Sequence, residues 1–272
     1  MTIIDTHLHL WDLQRFDYAW ITRGAPPLGR SFLVDEAART LHDAGVVEAV
    51  FVQADGSVDE AEWVLSLTAA HPWIRGVVGW IDLAAPDAAP TLARLATHPR
   101  FRGVRAGGPE QDWLLADDMQ PGLRALAAHQ LTLDVLAGPR ELARLPRLAA
   151  AHPSLTIVLD HLGAPPLADG DDAMRTWRAA LAAAAAAPNV VVKVSGLLTQ
   201  ARGAPIEPAV RAAVDAFGPQ RLLYGGDWPV ALLAADYADT LLHLRRALAA
   251  CGIDDHADMW ANNARRIYRL AD

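Results

Sequence analysis

The strongest constraint on this chain is a recurrence. Eight short β-branched or apolar runs, each ending in polar or glycine-rich text, follow one another along 272 residues. They are IIDTHLHL (3–10), VEAVFVQ (47–53), IRGVVGWIDL (74–83), FRGVRAG (101–107), LTLDVLAG (131–138), LTIVLDHLG (155–163), VVVKVSGL (190–197) and LLYGGDWP (222–229). Most begin about 25–35 residues apart, which is the length of one strand plus one helix. The text between them is rich in Ala, Leu, Arg and Glu, and SVDE (Ser57 to Glu60) before WVLSLTAA is a capping box that starts a helix. Eight βα units predict a (β/α)8 barrel, an α/β fold; a doubly wound sheet would use five or six. A hydrophobic fraction of 52% supplies its core. No linker interrupts the pattern, so residues 1–272 read as one domain.

The helix-to-strand turns fix the polarity of the barrel. AHPW (70–73), THPR (97–100) and AHPS (151–154) each close a helix and precede a strand. Proline stops the helix, and a histidine near a helix C-terminus suits the dipole. His71, His98 and His152 therefore belong to the stability face. His42, His129, His243 and His256 lie in helical text and read as structural too. Only His7, His9 and His161 end strands on the face where barrel chemistry is built.

On that face the first connection, about residues 11–34, is abnormally long. WDLQRFDYAWITRGAPPLGRSF carries aromatics, arginines and a PP pair before any helix begins. Such a loop is either a lid or substrate wall, with Tyr18 and Trp20 as contacts, or a packed Ω-loop. Partners and compartment are bounded by composition. The net charge of −8 comes without a Lys/Arg block, which argues against nucleic acid and anionic membranes. No apolar run is long enough to span a bilayer. One cysteine, Cys251, and a start without a signal-peptide pattern point to a reducing, cytoplasmic setting. The oligomeric state is open; NNARRIYRL (Asn262 to Leu270) reads as a closing helix that packs on the barrel or on a second subunit.

Strand alternation then gathers candidates at one mouth. His7 and His9 share a face, with Asp5 below them. Gln53 ends the second strand, Arg105 the fourth, His161 the sixth and Asp227 the eighth. Lys193 and Ser195 share a face of the seventh. Lys193 lies deeper, where a buried ammonium needs a partner; Asp5 is the expected one, with Asp134 and Asp160 as further members of that network. Ser195 has no base beside it in the sequence, which argues against a serine nucleophile.

The ordered set IIDTHLHLWD, GVVGWIDL, GVRAG, LDHLGAPP, KVSGL, RLLYGGDWPV and NARRIYRL resembles the amidohydrolase superfamily, and within it the amidohydrolase 2 lactonase group. The likeness runs over nearly the whole chain. It implies a distorted (β/α)8 barrel and hydrolysis of a cyclic ester, with Asp227 as general base. His7, His9 and His161 would surround the substrate carbonyl, and Arg105 would position the substrate. Two superfamily features are absent: a histidine ending strand five and a lysine on strand four. A binuclear centre is therefore not expected. Two arrangements stay open: a single divalent ion such as zinc on His7, His9 and Asp227, with or without His161, or imidazoles acting directly as donors without metal. A dicarboxylate lactone would need several converging cations, and only Arg105 is placed to serve. A neutral sugar lactone of the L-fucono, L-galactono or L-rhamnono type asks for aromatic and amide contacts, for which Trp11, Trp20, Gln53 and Trp228 are candidates. The alternatives are a pyrone-type dicarboxylate lactonase and a metal-dependent decarboxylase.

Overall fold

The computed structural model of the chain describes residues 2–107 and 115–271. Eight parallel strands stand in sequence order: β1 (Ile4–Leu8), β2 (Glu48–Val52), β3 (Ile74–Gly79), β4 (Phe101–Gly107), β5 (Thr132–Leu136), β6 (Ile157–Leu159), β7 (Val190–Val194) and β8 (Leu222–Tyr224). Helices between them cover the outside, as the recurrence predicts. Capping follows the sequence as well: Ser57 Oγ accepts the N–H of Glu60 at the start of the helix Val58–Leu67. The three histidine–proline turns share one geometry. The carbonyls of His71, His98 and His152 accept the N–H of Ile74, Phe101 and Leu155, each at 3.0 Å.

The barrel is irregular at several places, with register shifts between β1 and β2, β2 and β3, and β3 and β4. β6 and β8 are only three residues long, and the register of β1 against β2 slips between Asp5 and Leu8. The barrel closes just past the end of β8. Leu8 bridges Trp228, the His9 N–H donates to the Trp228 carbonyl, and the Asp227 N–H donates to the His7 carbonyl, both at 2.8 Å. The same backbone contacts that close the barrel thus place His7, His9 and Asp227 side by side.

Two apolar layers hold this frame. The outer layer lies between strands and helices. The inner one contains Ile4, Val50, Val52, Val78, Val158 and Leu223, and is completed by Ala261, Ala264, Tyr268 and Leu270 from the C-terminal segment. That segment therefore packs on the barrel itself. No helix among the described residues is long and apolar enough to cross a membrane.

The long first connection is packed onto its neighbours. Trp11 and Phe32 exchange backbone hydrogen bonds of 3.1 and 2.8 Å. The Trp11 indole is fully buried, with Tyr18, Trp20 and Phe32 against it, and Phe32 in turn meets Trp228. Helix α1 (Val34–Asp43) begins only after this aromatic stack.

Candidate active site

The ends of β1 and β8 supply the centre. His7, His9 and Asp227 are all buried. His7 Nε2 lies 3.1 Å from His9 Nε2 and 3.7 Å from Asp227 Oδ1, and His9 Nε2 lies 3.4 Å from the same oxygen. On its other side His9 Nδ1 is 2.8 Å from the Val52 carbonyl. A carbonyl can only accept, so Nδ1 carries a hydrogen and Nε2 is the nitrogen turned toward His7 and Asp227. His7 Nδ1 stands between a donor, Lys193 Nζ at 3.3 Å, and a carboxylate, Asp160 Oδ1 at 3.4 Å. These two neighbours allow a hydrogen on either nitrogen, while Nε2 faces His9 and Asp227.

These atoms fit a metal ion. With bonds of about 2.0–2.2 Å, neighbouring ligands of a tetrahedral zinc stand roughly 3.3–3.6 Å apart. The triangle of 3.1, 3.4 and 3.7 Å brackets that spacing. Its members are two imidazole nitrogens and a carboxylate, with a carbonyl orienting one ring from behind. His161 also has a donor atom within 4.8 Å of those of His7 and Asp227, a looser set.

His161 follows β6 on an unusual backbone. His161, Leu162 and Ala164 all have positive φ, as does Asp227 (φ 56°). Non-glycine residues pay for this conformation, and such runs cluster at functional sites. The turn brings His161 Nδ1 to 2.9 Å from Ser195 Oγ. Two glycines make room. A Cβ on Gly196 (φ +63°) would come within 2.7 Å of His161 Nδ1 and 3.1 Å of Asp227 Oδ2. One on Gly225 would lie 2.7 Å from His7 Cβ and 2.9 Å from Ser195 Cβ. Gly196 of KVSGL and Gly225 of YGGDWP therefore admit the protein's own catalytic candidates.

Beneath the mouth runs a polar chain. Lys193 Nζ donates to Asp134 Oδ2 at 2.6 Å and lies 3.1 Å from Asp160 Oδ1. Tyr268 donates to Asp134 at 2.6 Å, and Arg105 Nε donates to Asp160 Oδ2 at 3.0 Å. The expected Lys193–Asp5 pair is not formed. The slip in β1 turns Asp5 to the seam, where it accepts from the His7 N–H, the Gly226 N–H and the Tyr237 hydroxyl. The expectation for Ser195 also changes, because a base, His161, does lie beside it.

Electrostatics separate the carboxylates from the imidazoles. Burial opposes the charge of Asp227, but His161, His9 and His7 outweigh it and bring its pKa down to about 2. Burial drives His7 well below its ordinary value, with Asp160 pulling up and Lys193 pushing down. Burial lowers His161 as well. Asp160 would be raised by burial, yet Lys193 and His7 hold it well below the usual carboxylate range. The site thus sets an ionised carboxylate beside His7 and His161, two imidazoles whose protonation burial opposes.

The remaining candidates divide by exposure. Arg105 sits at the inner rim, with Nε committed to Asp160 and Nη1 only 3.5 Å from the Gln53 carbonyl. Gln53 is half-buried beside it. Trp20 is 50% exposed, with its indole N–H on the Ala54 carbonyl at 2.7 Å. Trp11 and Trp228 are buried, each against Phe32 in the aromatic stack. Sequence reasoning passed over Glu60. It is fully buried, and its Oε2 accepts the N–H groups of Ala54 and Asp55. The only signal was its place in the capping box.

The profile of a family described as Amidohydrolase matches residues 4–270. The chain is 35% identical to an L-fucono-1,5-lactonase of Burkholderia ambifaria, over 98% of this chain and 95% of that protein. It is 37% identical to an L-fucono-1,5-lactonase of Burkholderia multivorans, over 99% and 96%. A crystal structure of an amidohydrolase from Burkholderia multivorans with zinc bound superposes with a TM-score of 0.92 at 36% identity, covering 100% of both chains.

Proposed function

The chain belongs to the amidohydrolase family, and from that premise we propose that it hydrolyses a sugar lactone of the L-fucono-1,5-lactone type to the aldonic acid. One observation carries the reading: an ionised, buried carboxylate, Asp227, faces the Nε2 atoms of His7 and His9 at the closing seam of the barrel. The identity to two L-fucono-1,5-lactonases supports the substrate class.

Asp227 takes a proton from water as the oxygen attacks the lactone carbonyl. The tetrahedral oxyanion then collapses, the bond from carbonyl carbon to ring oxygen breaks, and Asp227 returns the proton to the departing alkoxide. A carboxylate with a pKa near 2 is ionised throughout the working range but is a weak base. The oxyanion therefore needs strong stabilisation, and His161 supplies a donor for it. His7, His9 and Asp227 would hold a single divalent ion, which when bound supplies Lewis-acid polarisation. Arg105 keeps terminal nitrogens for a hydroxyl or carboxyl group of the substrate. Gln53 offers an amide beside it, and Trp20 an apolar face for a sugar ring. With one rim arginine, itself held by Asp160, the site suits a neutral lactone better than a dicarboxylate.

A pH-indicator assay tests this directly, run with and without chelator on L-fucono-, L-galactono- and L-rhamnono-lactones and on 2-pyrone-4,6-dicarboxylate. The expected result is turnover of at least one sugar lactone with little or none of the pyrone. Hydrolysis of the pyrone alone, or of neither class, would overturn the proposal.

A further inference from the structure

Ser195 is 3% exposed, and its Oγ has no hydrogen-bond partner among the described residues other than His161 Nδ1, at 2.9 Å. That solitary contact decides where the protons lie. If His161 donated from Nδ1, the serine hydroxyl would accept and its own hydrogen would be buried without an acceptor, a costly arrangement. If the hydroxyl donates to Nδ1, both groups are satisfied, and the neutral imidazole carries its hydrogen on Nε2. His9 is held in the opposite sense: the Val52 carbonyl takes its Nδ1–H, so Nε2 is the only nitrogen of that ring that can offer a lone pair to an ion. The two imidazoles therefore cannot play the same part.

We propose that Ser195 is a positioning residue that locks His161 as its Nε2–H tautomer, making His161 a hydrogen-bond donor to the substrate carbonyl and removing it from any metal-ligand set. Such a set is then limited to His7, His9 and Asp227. The donor role rests on the lactonase reading above; the tautomer does not. The surroundings support the lock. The positive-φ turn at 161–162 and the absence of a side chain at Gly196 hold the ring against the serine. Gly225 lets Ser195 Cβ approach from the β8 side.

The test has two readouts. Long-range ¹H–¹⁵N spectra of the ¹⁵N-histidine-labelled protein, with His161 assigned by loss of its signals in His161→Asn, report which ring nitrogen carries hydrogen. Nε2–H is expected in the wild type as purified and after zinc is added. An Nδ1–H form, or an Nε2 lone pair engaged with zinc, would overturn the lock. In steady-state kinetics on the best sugar lactone, Ser195→Ala should lower kcat about 10–100-fold, as loss of a partner that orients an active-site ligand does. KM should stay within about threefold. Ser195→Thr keeps the hydroxyl and should restore most of the rate. A purely structural serine would shift the melting temperature while leaving kcat and the tautomer unchanged, and that outcome would also overturn the proposal. If the wild type hydrolysed no sugar lactone, the lactonase reading would fail and the spectra would still decide the tautomer.

Discussion

At Asp227 the demands of folding and of chemistry meet in one residue. Its N–H helps to close the barrel on the His7 carbonyl, while its carboxylate faces two imidazoles. Asn keeps the backbone contact and the shape but cannot accept a proton. Asp227→Asn is therefore expected to lower kcat by about three orders of magnitude or more while the melting temperature moves by only a few degrees. Turnover near the wild-type rate would remove Asp227 from the chemistry. Metal affinity is a separate question at the same residues. Zinc titration followed by elemental analysis should give about one ion per chain, and much weaker uptake for His9→Ala, because one of three ligands is lost. Equal uptake by the variant would place the ion elsewhere. The sequence made His7, His9, His161 and Asp227 legible because each ends a β-branched run in polar or glycine-rich text. It did not make the partner of Lys193 legible. Alternation puts Asp5 and Lys193 on one interior, but one slipped register in β1 hands Asp5 to Tyr237 and leaves Lys193 to Asp134 and Asp160. The base beside Ser195 was hidden for a related reason: His161 is 34 residues away in sequence, and only the strained turn after β6 brings it near.

Among the elements, the first connection shows most clearly where sequence reasoning stops. Its length and its aromatic content mark it as unusual, yet nothing in the order of its residues separates aromatics that pack from those that face solvent. The structure separates them by burial. Trp11 is sealed between Tyr18, Trp20 and Phe32 and hydrogen-bonds the Arg30 carbonyl at 2.6 Å. Trp20 lies on the outside of the same stack with half its surface open. The two should therefore respond differently to truncation. Trp11→Ala removes a fully buried indole and is expected to cost about 3–5 kcal/mol in denaturant unfolding. Trp20→Ala should cost less than about 1.5 kcal/mol and instead raise KM for a sugar lactone several-fold, with kcat little changed, because a ring face gives uniform binding. If Trp20→Ala left KM untouched, the loop would be a packed Ω-loop with no part in substrate binding.

For the molecule as a whole, the barrel was readable because eight strands bury both faces and so leave eight unmistakable apolar runs. The closing seam was not, since it depends on backbone contacts beyond the end of β8 that no residue pattern announces. The balance of buried charge was equally hidden, and it sets how global stability responds to pH. Burial lowers His7, His161, His98 and His152, so below about pH 6.5 the unfolded chain binds more protons than the native one and stability rises with pH. Burial raises Asp5 from 3.8 to about 6, which opposes that trend over the same interval. Glu60 differs because burial lifts its pKa from 4.5 to about 8. Only above about pH 7.5 have the unfolded histidines and native Asp5 largely finished titrating, while native Glu60 still holds much of a proton that the unfolded chain has released. Stability then falls as pH rises on through about 8, at less than about 1.4 kcal/mol per pH unit. Glu60→Gln keeps an oxygen for the Ala54 and Asp55 N–H groups and has nothing to titrate. Measured in denaturant at half-unit steps, its unfolding free energy should lack the Glu60 contribution, so that the difference between variant and wild type grows steadily from about pH 6.5 to 8. The variant should gain on the wild type toward pH 8. Parallel curves for the two proteins would mean that Glu60 is already ionised at neutral pH and that another group carries the slope.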